Sequence, residues 1–377
     1  MALVLNEEQQ MLRDSAKTFI QESSPVSALR ELRDSGAEWS PELWSGMAEM
    51  GWTGIAISED FGGLEFGYVG AGLVIEECGR TLAASPLLSS SFVCASLLEA
   101  VGSNTQKETL LPAVASGETI FTLALNESDR LDPSGIAMTA AADSDAFVLN
   151  GSKKHVVDGG IANTFVVVAR TAGDSGNQDG LGLFLIDRDA EGLSIDTTFN
   201  ADNRLVASLS FDSVRVAAEA VLGESGAAWP ALERALDIGA VLSAAELLGI
   251  AQESFERTLG YLKERKQFGV PVASFQALQH RAAQLFCELE LCKSCVLKAL
   301  QAIDQDSPDR SRLASMAKAK VARTSKLAVN EAVQMHAGIG MTDEFDIGFF
   351  MKRSAAASQE YGDYYYHADR FAELGGY

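Results

Sequence analysis

Apolar residues in this chain change their spacing twice, and that change limits the possible folds more than any single motif does. From Glu118 to about Gly223 the runs "TIFTLAL", "AFVLNGSKKHVVDG", "NTFVVVART", "GLGLFLIDR" and "RLVASLSFDSVRV" follow one another, separated by turn residues. β-Branched and aromatic side chains alternating with polar ones specify half-buried strands. Five or more such strands in about a hundred residues predict a small barrel or sandwich. On either side the spacing is three to four, the helical period.

Before the β region, "NEEQQMLRDSAKTFIQES" opens on an Asn cap and puts Met11, Leu12, Ala16, Phe19 and Ile20 on one face. "SPELWSGMAEMGW" places Pro41 in the first turn of another helix. "GAGLVIEECGRTLAASPLLSSSFVCASLLEAVG" supplies two apolar, buried helices, and "ISEDFGGLEFG" is a Gly-rich loop. After the β region, helical patterns near 229–265, 274–303, 309–337 and 349–372 predict an antiparallel four-helix bundle. The expected division is residues 1–116, an N-terminal all-α domain; 117–225, a middle β-barrel or sandwich domain; and 226–377, a C-terminal helical bundle.

Charge narrows the function. With 52 acidic against 30 basic residues the net charge is −22, and no basic patch offsets it, so nucleic-acid binding is not expected. No uninterrupted apolar run reaches the roughly 18 residues of a membrane span, and "MALVLNEEQQ" turns acidic at once. No membrane association and a cytoplasmic location are the expectations. The five cysteines, Cys78, Cys94, Cys287, Cys292 and Cys295, read as reduced thiols. Cys292 and Cys295 lie within a continuous helical pattern, so no metal site is expected.

"YLKERKQFGVPVASFQALQHRAAQL" brings Arg265, Gln267, Phe268, Gln276 and Gln279 to a Gly-Val-Pro break between two helices. By itself this is either a solvated turn or a ligand corner. Together with "NGSKKHVVDGGIANTFVVVART" and "AVQMHAGIGMTDEF", in this order, it resembles the acyl-CoA dehydrogenase family over essentially the whole chain. The resemblance implies FAD held partly across a subunit interface, in a homo- or hetero-oligomer. It implies Arg265 at the diphosphate, Phe268 by the adenine, Gln267 nearby, and Gln334 with the backbone at Gly338 and Gly340. It places Leu125, Asn126, His155 and Val157 around the flavin ring. The implied reaction is α,β-dehydrogenation of an acyl-CoA thioester, with electron-transfer flavoprotein or a similar acceptor reoxidising the flavin.

This sequence departs from the family pattern where the base is expected. The triplet Tyr361-Gly362-Asp363 has tyrosine in the glutamate position, and an ordinary phenol, with a pKa near 10, is a poor base. The alternative base position on the first bundle helix is Gly239. Two turns on, Glu246 lies alone in "LSAAELLGIAQ", with Asp363 and Glu360 as further candidates. A structural reading pairs Glu246 with Arg353 or Arg281. Val157 lacks the hydroxyl expected beside the flavin. The departures resemble those of bacterial heteromeric relatives. That leaves three readings: a dehydrogenase acting alone or with a paralogue, a non-catalytic partner subunit completing a paralogue's flavin site, or a flavin monooxygenase or oxidase on the same fold. His280 and His336 are expected to be packed or hydrogen-bonded.

Overall fold

The computed structural model describes residues 3–37 and 39–377. The first helical region holds α1 (Glu7–Ser23), α2 (Val26–Ser35), α3 (Pro41–Glu49), α4 (Tyr68–Thr81), α5 (Ala95–Val101) and α6 (Asn104–Ala115). Asn6 and Gln9 close α1 with a capping box: the Gln9 N–H donates to the Asn6 side chain at 2.8 Å, and the Asn6 N–H donates to Gln9 at 3.1 Å. Ser40 caps α3, with Pro41 at its start. On α1, Ala16 and Ile20 are buried as expected, but Met11 is 72% exposed. It lies one position off the stripe that Leu12, Ala16 and Ile20 follow.

The strands are β1 (Phe121–Ala124), β2 (Thr139–Asp143), β3 (Ala146–Val157), β4 (Thr164–Arg170), β5 (Leu181–Asp187), β6 (Leu193–Phe199), β7 (Leu205–Ala217) and β8 (Val221–Leu222). They form one sheet in the order β6-β7-β3-β2-β4-β5-β8, and β1 pairs parallel with β4. The long β3–β7 pair is antiparallel and slips register between Lys153 and Val156. That bulge bends the end of β3. β4 is buried from Phe165 to Arg170, whereas β7 alternates and β6 has no buried residue, so the sheet has one covered and one wet half.

The C-terminal region comprises α7 (Trp229–Glu264), a hairpin of β9 (Lys266–Gln267) and β10 (Val270–Pro271), then α8 (Gln276–Asp304), α9 (Arg310–His336), α10 (Ile347–Ala357) and α11 (Tyr364–Leu374). By length and composition α7 could cross a membrane, but its apolar window is wholly buried, which makes it a core helix. The helix expected over 349–372 is two. Tyr361 (φ 54°) and Gly362 (φ 103°) are both left-handed and stop α10 from continuing, and Asp363 then caps α11.

Contacts divide the chain into two compact units. One comprises the residues up to Ser35, Tyr68–Ala84 and Ala240–Tyr377; the other comprises Gly36–Gly67 and Ser85–Gly239. The first helical region is therefore shared, with α1, α2 and α4 in the unit of the bundle and α3, α5 and α6 in that of the sheet. Glycines let α4 touch α7. A Cβ on Gly79 would lie 2.2 Å from the Glu246 carbonyl oxygen, and one on Gly249 would lie 2.0 Å from that of Glu76.

Candidate active site

In the sheet unit, the end of β1 meets the bulge of β3. The Lys154 N–H donates to the Asn126 carbonyl at 2.7 Å, and Lys153 Nζ donates to the Leu125 carbonyl at 3.1 Å. The Thr122 hydroxyl donates to the Val157 carbonyl at 2.6 Å. Leu125, Asn126, His155 and Val157, expected around a flavin ring, are thus gathered at one sheet end. His155 (φ 52°) and the neighbouring Asp158 (φ 57°) hold left-handed backbone, a conformation that costs of order 1–3 kcal/mol for such residues. Asp158 accepts a hydrogen bond from Ser89 in the π-helical turn Leu87–Cys94. The Asn126 side-chain oxygen is buried without a hydrogen-bond partner. An orphaned acceptor of this kind signals a missing donor.

In the bundle unit, Arg265 leads into the β9–β10 hairpin, where Gln267 pairs with Val270. The two turn residues, Phe268 (φ 54°) and Gly269 (φ 82°), are both left-handed, as a two-residue hairpin requires. An aromatic at the first of these positions is strained, and Phe268 is 93% exposed, touching Phe275 edge-on at 6.3 Å between ring centres. Arg265 and Gln267 are also exposed, as are Gln334 and Gly338 near the end of α9. Stacking of Tyr261 on His336 at 4.4 Å brings the end of α7 to the end of α9, so the two expected diphosphate segments share one end of the bundle. A guanidinium, amides, open backbone and a displayed aromatic ring form a donor set suited to a flavin nucleotide.

The three carboxylates considered as bases fall into a different setting, inside the same unit. Glu246, 4% exposed, receives two hydrogen bonds from Arg353, at 2.8 and 2.7 Å. Glu360 binds the same guanidinium at 2.7 and 3.3 Å. Arg281, the other candidate partner of Glu246, instead pairs with Glu331 at 2.5 Å. Asp363 accepts the Tyr366 N–H at 2.8 Å as the cap of α11. The Tyr361 carbonyl accepts from His367 Nε2 at 2.8 Å, and desolvation pushes the His367 pKa down to about 3. Glu360 was expected on a helix but sits in the turn between α10 and α11.

Lys318 completes this cluster, and the sequence reading missed it. It is fully buried, donating to Ser243 Oγ and to the Ala357 carbonyl at 2.7 Å. Burial lowers its pKa to about 7, against the opposing pull of Glu360 and Glu246. With its proton, the four groups balance: two carboxylates, one guanidinium and one ammonium. Lys318 shares a buried stripe of α9 with Ala314, Val321, Ser325 and Ala328, but the parallel stripe through Lys320 carries Leu313, Met316 and Leu327, so the sequence does not mark which lysine is buried. Lys153, buried beside Glu127 at 2.7 Å, was missed for the same reason. His280 is exposed, contrary to expectation, while His336 is buried with Nδ1 bonded to the Ala332 carbonyl at 2.7 Å. The described residues contain no cluster able to hold a metal ion.

Comparison with known proteins supplies the class. Residues 6–118, 123–214 and 226–367 match the acyl-CoA dehydrogenase N-terminal, middle and C-terminal domains. Such a set defines a flavoprotein oxidoreductase acting on CH–CH bonds. The chain belongs to the acyl-CoA dehydrogenase family. It is 30% identical over 349 residues to a probable acyl-CoA dehydrogenase, YngJ, of Bacillus subtilis, covering 91% of both chains. It is also 30% identical over 355 residues to the short-chain specific acyl-CoA dehydrogenase of Clostridium acetobutylicum, covering 92% of each. Among solved structures, a Tcur3481-Tcur3483 steroid ACAD variant superposes with a TM-score of 0.89 at 30% identity, covering 98% of both chains.

Proposed function

We propose that the protein is a subunit of an FAD-dependent acyl-CoA dehydrogenase whose proton-abstracting base comes from a paralogous partner. One observation carries the proposal: all three carboxylates considered as bases are committed within the bundle unit, Glu246 and Glu360 to Arg353 and Asp363 to the α11 cap. When bound, FAD would supply the acceptor for the β-hydride of the acyl thioester. Arg265 and Gln267, with the open backbone at Gly338 and the exposed Gln334, would hold the diphosphate, and Phe268 would lie against the adenine. The orphaned Asn126 oxygen would accept a donor from the ring, with Leu125, His155 and Val157 around it. Electron-transfer flavoprotein or a similar acceptor removes the electrons.

Glu246 as the chain's own base is the second reading. It is favoured because two carboxylates share the single Arg353 guanidinium, leaving one less than fully compensated when Lys318 loses its proton. The test is to purify the chain alone, record its visible spectrum, and assay CoA esters with a dye acceptor. A chain with little turnover that becomes active on co-expression with a paralogue supports the proposal. Full turnover by the lone chain, abolished in Glu246→Gln, establishes the second reading instead.

A further inference from the structure

Beside the Tyr261–His336 stack lies a cavity of about 430 Å³. Arg257, Tyr261, Glu264, His336, Glu344 and Phe345 are among the residues that line it, and none of the expected flavin contacts does. Gln334 is two residues from His336, some 200° round the helix, and so faces away from it. The cavity therefore shares an end of the bundle with the expected diphosphate corner but none of its expected contacts.

Its chemistry follows from the state of each group. His336 is 2% exposed, and its Nδ1 faces the Ala332 carbonyl at 2.7 Å. A carbonyl can only accept, so the proton sits on Nδ1 and Nε2 carries a lone pair. Desolvation disfavours the imidazolium. No described residue bonds Nε2. Tyr261 stacks on this ring at 4.4 Å, and Phe345 meets it edge-on at 5.7 Å. Arg257 contributes no free positive charge, because Glu253 holds it at 2.9 Å and Asp346 at 3.2 Å. Asp346 is in turn shared with Arg30 at 3.1 Å. Glu264 and Glu344 have no ion-pair partner among the described residues.

We infer that this cavity is a binding site for a primary alkyl-ammonium group, on a free amine or a lysine side chain. His336 Nε2 accepts one ammonium hydrogen. The Tyr261 and Phe345 rings, packed on His336 and on each other at 6.0 Å between ring centres, flank the alkyl stem. Glu264 and Glu344 at the rim supply the countercharge. The acceptor also sets specificity: a quaternary ammonium meets the rings and carboxylates but brings no N–H for Nε2.

The chain has four histidines, so ring signals are few enough to assign by NMR. Butylammonium, tetramethylammonium and Nα-acetyl-lysine amide are titrated into the full chain as purified, and the His336 ring resonance is followed. Saturable shifts with butylammonium, at least tenfold weaker with tetramethylammonium, are expected. His336→Phe keeps the stack but removes the acceptor, and should abolish this preference. Glu264→Gln with Glu344→Gln, both exposed, should weaken either cation several-fold while leaving the fold intact. Tighter binding of the lysine amide than of butylammonium identifies a side chain as the natural ligand, and the reverse a free amine. Absence of a saturable shift, equal affinity for both cations, or a preference surviving in His336→Phe overturns the inference. None of these readouts depends on flavin content or turnover, so their failure is distinct from failure of the proposed activity.

Discussion

Lys318 Nζ donates to the carbonyl oxygen of Ala357 at 2.7 Å, and Ser243 Oγ donates to that same oxygen at 3.0 Å. Two donors from two helices, α9 and α7, therefore satisfy the last carbonyl of α10, just before the turn that carries Glu360, Tyr361 and Asp363. The side chain doing this is a lysine whose pKa burial has lowered from 10.5 to about 7. Between those values the unfolded chain holds the proton and the folded chain does not, so this group makes stability rise with pH from about 7 toward 10.5. Each unit of that window corresponds to about 1.4 kcal/mol at most. Urea unfolding at several pH values should show a steeper rise for the wild type than for Lys318→Met. Parallel profiles would show that the amine is not buried as charged-or-neutral in this way.

Arg353 is the shared cation of Glu246 and Glu360, and all three side chains are nearly or wholly out of water. Removing one member of a buried ion pair costs about 3–5 kcal/mol, because the partner is left uncompensated. Arg353→Met should fall at or above the upper end of that range, since it strands two carboxylates. Arg353→Lys keeps the charge but loses the planar fork that reaches both, and should still be clearly destabilised. Chemical denaturation midpoints measure both, and a variant within about 0.5 kcal/mol of the wild type would contradict the geometry.

The α4–α7 contact gives a paired test on two glycines. Alanine is favoured over glycine in helices by about 1 kcal/mol. Gly260, on α7, has open space where a Cβ would go, so Gly260→Ala should stabilise by roughly that amount. At Gly79 the Cβ would meet the Glu246 carbonyl oxygen at 2.2 Å, and backbone cannot yield as a flexible side chain can. Gly79→Ala should therefore be net destabilising by about 1–3 kcal/mol. Thermal unfolding of both variants should move the melting temperature in opposite directions.

Much of this architecture was legible in the sequence because periodicity reports burial directly. The β-branched apolar run in "NTFVVVART" became the buried β4, and the apolar stripes near 229–265 and 309–337 became α7 and α9. Where a contact depends on tertiary partners, the pattern was silent. Tyr361 carries no local signal for left-handed backbone, so the break between α10 and α11 was read as continuous helix. Lys318 and Lys153 look like solvated charges until their neighbours are known, because nothing in "MAKAKVAR" distinguishes Lys318 from Lys320. The former is fully buried, and the latter reaches Glu288 at the surface. Glu246 was conspicuous for the opposite reason, since no carboxylate is expected between alanines and leucines on a core helix. Its partnership with Arg353 was one of two pairings its sequence context allowed.

Asn126, proposed above to meet the flavin ring, offers a test that separates flavin binding from folding. Its backbone carbonyl accepts the Lys154 N–H at 2.7 Å, a bond any residue at this position keeps. Its side-chain oxygen is buried and unpaired, which costs the folded chain about 1–3 kcal/mol unless a ligand supplies the donor. Asn126→Ala removes that acceptor while leaving the Lys154 and Lys153 bonds to this strand end in place. In the flavin-free chain the variant should be as stable as the wild type or slightly more so. In flavin titrations it should bind about tenfold more weakly, the equivalent of one hydrogen bond at roughly 1.4 kcal/mol. Visible absorbance of the purified protein and the thermal midpoints with and without flavin read the two effects separately. A variant that loses stability without flavin and keeps its affinity would mean that the orphaned oxygen serves the fold, and that the flavin ring finds its donors elsewhere at this sheet end.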